Sequence, residues 1–207
     1  MAFITFEGIE GCGKSTQLRL VAERLGSRAV VTCEPGGTAI GKAVRHVLLD
    51  PRSQGMAPTT ELLLYFADRA QNVAEVVRPA LAEGRVVLCD RHVESSLAYQ
   101  GYGRGLPAEA IRQLAALAAS GLRPDVIVLL DVPVDVGLAR VGRRGGRDRL
   151  ESEVLEFHER VRAGYEALRA AEPDRWLRFD GCASPDAVFE ELWSGLVGRG
   201  LLGEAVR

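Results

Sequence analysis

The sequence predicts a three-layer α/β domain: a mainly parallel, five-stranded sheet with helices on both faces and a small lid. Three observations carry this. Short apolar runs alternate with longer helical patterns along the chain, the order that builds a parallel sheet. The apolar runs are rich in Val, Ile, Leu and Phe and lack strict polar alternation, as strands covered on both faces do. A glycine-rich turn separates the first apolar run from the first helical pattern, the place where a β-α unit binds an anion.

The elements follow in order. Strands are predicted over residues 2–6, 29–33, 85–90, 125–131 and 176–180. Helical patterns fill the gaps at 15–25, 40–49, 60–83, 107–119, 134–143, 151–171 and 185–197. The 207 residues give room for one sizeable core, so residues 1–207 form a single domain without internal repeats. One segment departs from the pattern: Arg143, Arg144, Gly145, Gly146, Arg147, Asp148 and Arg149 combine cations, glycines and little apolar content. It reads as a lid over about residues 142–151.

Composition narrows the function. Hydrophobic residues make up 47% and charged residues 26%, and the formal net charge is −2, so a general nucleic-acid binder, with its basic excess, is disfavoured. Lys14 and Lys42 are the only lysines, which makes any single arginine a weak signal and Lys14 a stronger one. Cys12, Cys33, Cys89 and Cys182 form no C-x-x-C pair; they read as reduced thiols of a cytoplasmic protein rather than a zinc or redox motif. No basic leader precedes the first apolar run and no run is long enough for a bilayer, so neither a signal peptide nor a membrane partner is expected.

Residues 8–15 read Gly8, Ile9, Glu10, Gly11, Cys12, Gly13, Lys14, Ser15, matching G-x-x-x-x-G-K-[ST] between a strand and a helix. The glycines let backbone N–H groups turn toward phosphate oxygens while the helix aims its positive end at the same anion. Lys14 is placed to reach the β- and γ-phosphates of ATP and Ser15 to ligand Mg²⁺. The guanine-reading Asn-Lys-x-Asp motif is absent, since the single asparagine, Asn72, precedes Val73. A second site begins at Asp90 and Arg91, ending the strand beside the loop: the acid suits Mg²⁺ through water, the guanidinium suits a phosphate. Tyr65, Arg69 and Asn72 share one helix face by spacing, where a ring and a guanidinium stack and hydrogen-bond a base, or simply join the core.

These pieces resemble the thymidylate kinases. The resemblance rests on residues 6–16, on Glu34-Pro35-Gly36-Gly37-Thr38, on Tyr65-Phe66-Ala67-Asp68-Arg69, on Asp90-Arg91-His92 continuing to Gly101, on Arg123-Pro124-Asp125 and on the lid ending Asp148-Arg149-Leu150-Glu151. It implies a three-layer P-loop kinase fold and transfer of the γ-phosphate of ATP to dTMP, with Mg²⁺, in dTTP biosynthesis, by a homodimer. It implies that residues 8–15 and Thr16 hold ATP, with Arg140 near its base. Glu34, Pro35, Tyr65, Arg69, Ser96 and Gln100 then surround the acceptor, Tyr99 disfavours a ribose 2′-hydroxyl, and Arg91 holds the acceptor phosphate. Glu10 contacts the sugar or positions the phosphate. Two departures stand out. Cys33 replaces an arginine common in bacterial members, and Cys12 stands where eukaryotic members carry a catalytic arginine, as in the bacterial subtype whose lid, here Arg144, Arg147 or Arg149, supplies the cation. Other nucleoside monophosphate kinases and a slow ATP-hydrolysing switch are the rival readings. Tyr65, Arg69 and residues 95–100 disfavour the first, Arg91 and the cationic lid the second.

Overall fold

The computed structural model describes residues 1–143 and 148–202. Among these, five strands form the sheet: β1 (Ala2–Glu7), β2 (Ala29–Cys33), β3 (Val86–Asp90), β4 (Val126–Asp131) and β5 (Trp176–Asp180). Their order is β2-β3-β1-β4-β5 and every pairing is parallel. The expected sheet is therefore present, with each strand within one residue of its predicted bounds.

The helices are α1 (Lys14–Leu25), α2 (Ala39–Leu49), α3 (Pro58–Asn72), α4 (Arg78–Ala82), α5 (Val93–Ser96), α6 (Ala108–Ala118), α7 (Val134–Gly142), α8 (Leu155–Ala171) and α9 (Pro185–Gly198). Alternate side chains of a strand point to opposite faces, and both faces are covered. Ile4, Phe6 and Leu88 join Leu18 and Val21 of α1 and Leu192 and Leu196 of α9. Phe3, Val87 and Cys89 join Val77 and Ala80 on the other face. All six residues of β1 and of β4 are buried, which is why these strands read as continuous apolar runs.

Three differences from the sequence reading have physical causes. The helix expected over 60–83 loosens into a π-turn at Val73–Val77 before α4; Pro79 has no N–H to donate to the preceding turn. The helix expected from residue 151 starts at Leu155, because Asp148 and Glu151 first close a reciprocal turn: the Asp148 amide donates to Glu151 at 3.1 Å, and the Glu151 amide to Asp148 at 2.8 Å. A helical segment absent from the sequence reading, α5 continued by a π-turn over Leu97–Gly103, follows β3.

From β1 the chain steps over β3 to β2, and from β3 it steps over β1 to β4. The winding direction thus reverses beside β1, and an open α/β sheet binds ligands at the carboxyl ends of strands at such a point. The carboxyl ends here are residues 7–10, 33–36 and 90–92.

Candidate active site

The loop after β1 depends on its glycines. Gly8, Gly11 and Gly13 have φ of +135°, +70° and +102°, a region that favours glycine. A Cβ on Gly8 would strike the Leu130 carbonyl oxygen, and one on Gly11 the Gly137 carbonyl oxygen, so β4 and α7 press on the back of the loop. No side chain caps α1 and its first turn carries no acid, leaving a helix end suited to an anion. Lys14 Nζ donates to the carbonyls of Gly8 (3.0 Å) and Ile9 (2.9 Å), and Cys12 Sγ lies 3.4 Å from it.

This loop floors a cavity of about 540 Å³, which Thr16, Tyr65, Arg91 and Arg140 also line. Arg140 ties it to the turn after β5, donating to the carbonyls of Gly11 (3.2 Å) and Gly181 (2.8 Å). Ser15 Oγ donates to Asp90 Oδ2 at 3.3 Å, and Asp90 Oδ1 is buried without a partner. One hydroxyl and one orphaned carboxylate oxygen form a hard, all-oxygen donor set. The described residues hold no cluster of three or more His, Cys, Asp or Glu side chains fit for a metal. That combination fits Mg²⁺, which keeps water and phosphate oxygens in most of its positions.

Arg91 is the best-held cation of the site. Its φ of +75° is unusual for a residue with a Cβ, and β1 enforces it. The Arg91 amide donates to Phe6 O at 3.0 Å and the next amide, of His92, to Glu7 Oε1 at 2.7 Å. The guanidinium donates to Gly8 O, Ser95 Oγ, Tyr165 OH and Glu10 Oε1, each at 3.1 Å, and to Tyr99 OH at 3.0 Å. Glu7 lies fully buried beneath this turn, accepting from the Ser95 hydroxyl (2.5 Å) and the Tyr165 hydroxyl (2.9 Å). Burial, then the charge of Glu94, pushes the Glu7 carboxyl upward. Glu10 goes the other way. Burial raises it, but His158, Arg91, Lys14 and Tyr99 outweigh that and hold it at about 2. Tyr99 OH donates to Glu10 at 2.6 Å, and His158 Nδ1 lies 3.6 Å from its other oxygen.

A smaller pocket of about 30 Å³ opens off the cavity between Glu10, Tyr65, Arg69, Ser96, Tyr99 and Gln100. That is the space of about one water, so a planar ring enters only if lining side chains move. Arg69 is fully buried in its wall and donates to Glu34 Oε2 (2.7 Å), Ser96 Oγ (3.1 Å) and His92 O (2.8 Å). Glu34 also accepts from Asn72 (3.0 Å) and faces His92 Nδ1 at 3.2 Å. Burial raises its carboxyl, yet His92 and Arg69 together bring it down to about 2. The peptide bond from Glu34 to Pro35 is cis. Arg45, from α2, donates to Pro35 O at 2.8 Å and lines the large cavity, so a guanidinium reaches this element although Cys33 replaces an arginine. Nothing in the sequence singled Arg45 out.

Asp68 holds the same element from below, its Oδ1 accepting from the Gly36 amide at 2.9 Å. Burial pushes its carboxyl up to about 6, with the Glu34 charge adding to that against the Gly36 amide. An acid ionises near 4 in the unfolded chain, so folding stability falls as pH rises from about 4 to 6. Asp68→Asn removes that pH dependence. The melting temperature of the variant relative to the unsubstituted chain should climb by about 2–5 °C between pH 4 and pH 8. A difference flat with pH in thermal melts would mean that Asp68 is not the group responsible.

Arg144 and Arg147 lie outside the described residues. Arg149 is buried and turned to α2 and α3: Nε donates to Leu48 O at 2.7 Å, the amide to Leu49 O at 3.2 Å, and NH2 lies 2.6 Å from Glu61 Oε2. The buried Glu61 carboxylate needs cations, and Arg149 supplies one. The sequence reading passed over Tyr165 and His158 and gave Glu7 and Ser95, which lie in the matched motifs, no role of their own. Their contacts join residues up to 158 positions apart, so no local pattern marks them.

The family model for Thymidylate kinase matches residues 6–192. A thymidylate kinase of Geobacter sulfurreducens is 55% identical over 206 residues, covering 95% of this chain and 97% of its own. One from Solidesulfovibrio magneticus is 51% identical over 207 residues, covering 95% and 99%. The crystal structure of thymidylate kinase from Ehrlichia chaffeensis superposes with a TM-score of 0.77 at 34% identity, covering 94% of this chain and 98% of that one.

Proposed function

Because the chain belongs to the thymidylate kinase family, we propose that it transfers the γ-phosphate of ATP to dTMP, giving dTDP and ADP. The observation that carries this reading is the placement of Arg91, which lines both the phosphate-loop cavity and the smaller pocket. A guanidinium there faces the donor on one side and an acceptor phosphate on the other, and its planar fork grips two phosphate oxygens at once.

Phosphoryl transfer asks for in-line positioning and for neutralisation of the charge spreading over the transferred group. The loop amides and Lys14 hold the donor phosphates, and Arg91 turns the acceptor phosphate toward them. Ionised Glu10 fixes one arm of the Arg91 fork. Mg²⁺, held by Ser15 with Asp90 beside it, supplies charge neutralisation on the donor phosphates when bound. The base enters the smaller pocket against Tyr65, with Arg69, Ser96 and Gln100 at its edge and Tyr99 toward the sugar; Arg140 stands on the adenine side. Arg144 and Arg147, which lie outside the described residues, are the lid cations to test for the charge on the transferring group.

No helix among the described residues is long and apolar enough to cross a membrane, and a cytoplasmic protein is part of the same reading. So is a homodimer, supported by exposed Ile40 and Val47 on α2 and Leu63 on the neighbouring α3. The deciding experiment measures ADP release with dTMP, dUMP, dCMP, dAMP, dGMP and no acceptor. Turnover with dTMP should exceed that with the purine monophosphates by about 10²-fold or more. ADP release at the same rate without any acceptor would sink the proposal.

A further inference from the structure

One buried carboxylate has no part in the chemistry above. Glu61 sits on α3, four residues before Tyr65 and eight before Arg69, and is 1% exposed. Its Oε1 accepts from Gln100 Nε2 at 2.9 Å and from Arg104 Nε at 3.3 Å. Its Oε2 accepts from Arg104 NH2 at 3.0 Å and lies 2.6 Å from Arg149 NH2. Burial raises the Glu61 carboxyl, but the hydrogen bonds from Arg104 and Gln100 and the charges of Arg104 and Arg149 outweigh it and hold the group below the usual carboxylate range.

An ionised carboxylate only accepts hydrogen bonds. The Gln100 side chain must therefore turn its NH₂ toward Glu61, which leaves its carbonyl, Oε1, as the other end of the amide. Among the described residues the side chain of Gln100 makes its hydrogen bond through Nε2, and Gln100 lines the smaller pocket beside Arg69 and Ser96. Arg69 has five N–H donors and uses three of them on Glu34, Ser96 and His92. The pocket wall thus offers an acceptor beside spare donors. Thymine and uracil present the complement, an N–H between two carbonyls. Cytosine presents a bare ring nitrogen at that position, which would face the Gln100 oxygen acceptor to acceptor.

We propose that Glu61 is a specificity-determining positioning residue: it locks the amide of Gln100 so that the pocket reads the ring N–H of thymine and rejects cytosine. The proposal rests on the reading of the site as one for a pyrimidine monophosphate, and turnover of dTMP by the unsubstituted chain tests that reading separately. In Glu61→Gln the near-isosteric amide both donates and accepts, so Gln100 is free to pair either way round. The ratio of kcat/KM for dTMP to that for dCMP should fall by at least about 10-fold. The loss should lie mainly in KM for dTMP, with KM for ATP unchanged. A merely structural role would lower both acceptors alike and leave the ratio where it was, and that result in a folded E61Q protein overturns the proposal. Gln100→Met leaves Glu61 with its arginines and removes the amide. It should lose the same discrimination, and a retained ratio in Q100M overturns the proposal even where E61Q fails to fold.

Discussion

Arg91→Ala should lower kcat/KM for dTMP by about 10³-fold or more, while KM for ATP changes by only a few-fold. Among the described residues the guanidinium is the one cation that lines both cavities. Each charge-assisted hydrogen bond it would make to a phosphate oxygen contributes about 1.5–3 kcal/mol, and a bidentate grip makes two. Its removal also takes from buried Glu10 one of its two cations, leaving it with Lys14, Tyr99 and His158, so some of the loss is a misplaced carboxylate rather than a missing cation. Arg91→Lys separates the two. Lysine keeps the charge but not the fork, cannot span Glu10, Tyr99 and Gly8 together, and should still lose about 10²-fold. Steady-state ADP release at varied dTMP and fixed saturating ATP reads both variants. A loss under about tenfold for R91A would move the acceptor phosphate elsewhere in the cavity.

The parts of this site that are contiguous in sequence were legible in it. Residues 8–15 specify their own turn, because the glycines, Lys14 and Ser15 lie together between one strand and the start of one helix. Asp90 and Arg91 were legible because they end a strand beside that loop. What the sequence hid is the framework that aims them. Glu7 falls just past the strand predicted over 2–6 and is given no role, yet it receives His92, Ser95 and Tyr165. Tyr165 and His158 fall within the helical pattern predicted over 151–171, which assigns them no role. The helical segment after residue 92 was missed because Gly101 and Gly103 argue against a helix locally. A Cβ on Gly103 would come within 2.7 Å of the Phe157 ring, so the glycine serves the approach of α8 and tertiary packing overrides propensity. Arginine carried the weakest signal of all, since nearly every basic residue of the chain is one. Only the structure separates Arg91, which lines both cavities and pairs with Glu10, from Arg149, buried against Glu61.

That separation leads to the largest expected loss of kcat, in the double variant R144A/R147A. The described cations that line the large cavity are Lys14, Arg45, Arg91 and Arg140; in the proposed reading Lys14 serves the donor phosphates, Arg91 the acceptor phosphate and Arg140 the adenine side, while Arg45 is held on the Pro35 carbonyl. Cys12 occupies the loop position where an arginine would bring a further charge. The cation that meets the charge developing on the transferred phosphate is then left to the lid, and such an arginine is worth about 10³–10⁵ in rate. R144A/R147A should lose kcat in that range with KM for dTMP changed only a few-fold, because the interaction forms in the transition state. Arg149→Ala should behave differently. It withdraws one of the two cations from a buried carboxylate, a change that costs about 3–5 kcal/mol where a buried pair is broken outright and less here, because Arg104 stays on Glu61. The melting temperature should fall by several degrees while kcat stays within about tenfold. Single-turnover rates and thermal melts of the two proteins side by side read the contrast. A double variant that keeps kcat within tenfold, or an R149A protein that matches its loss with an unchanged melt, would return the catalytic cation to Arg149.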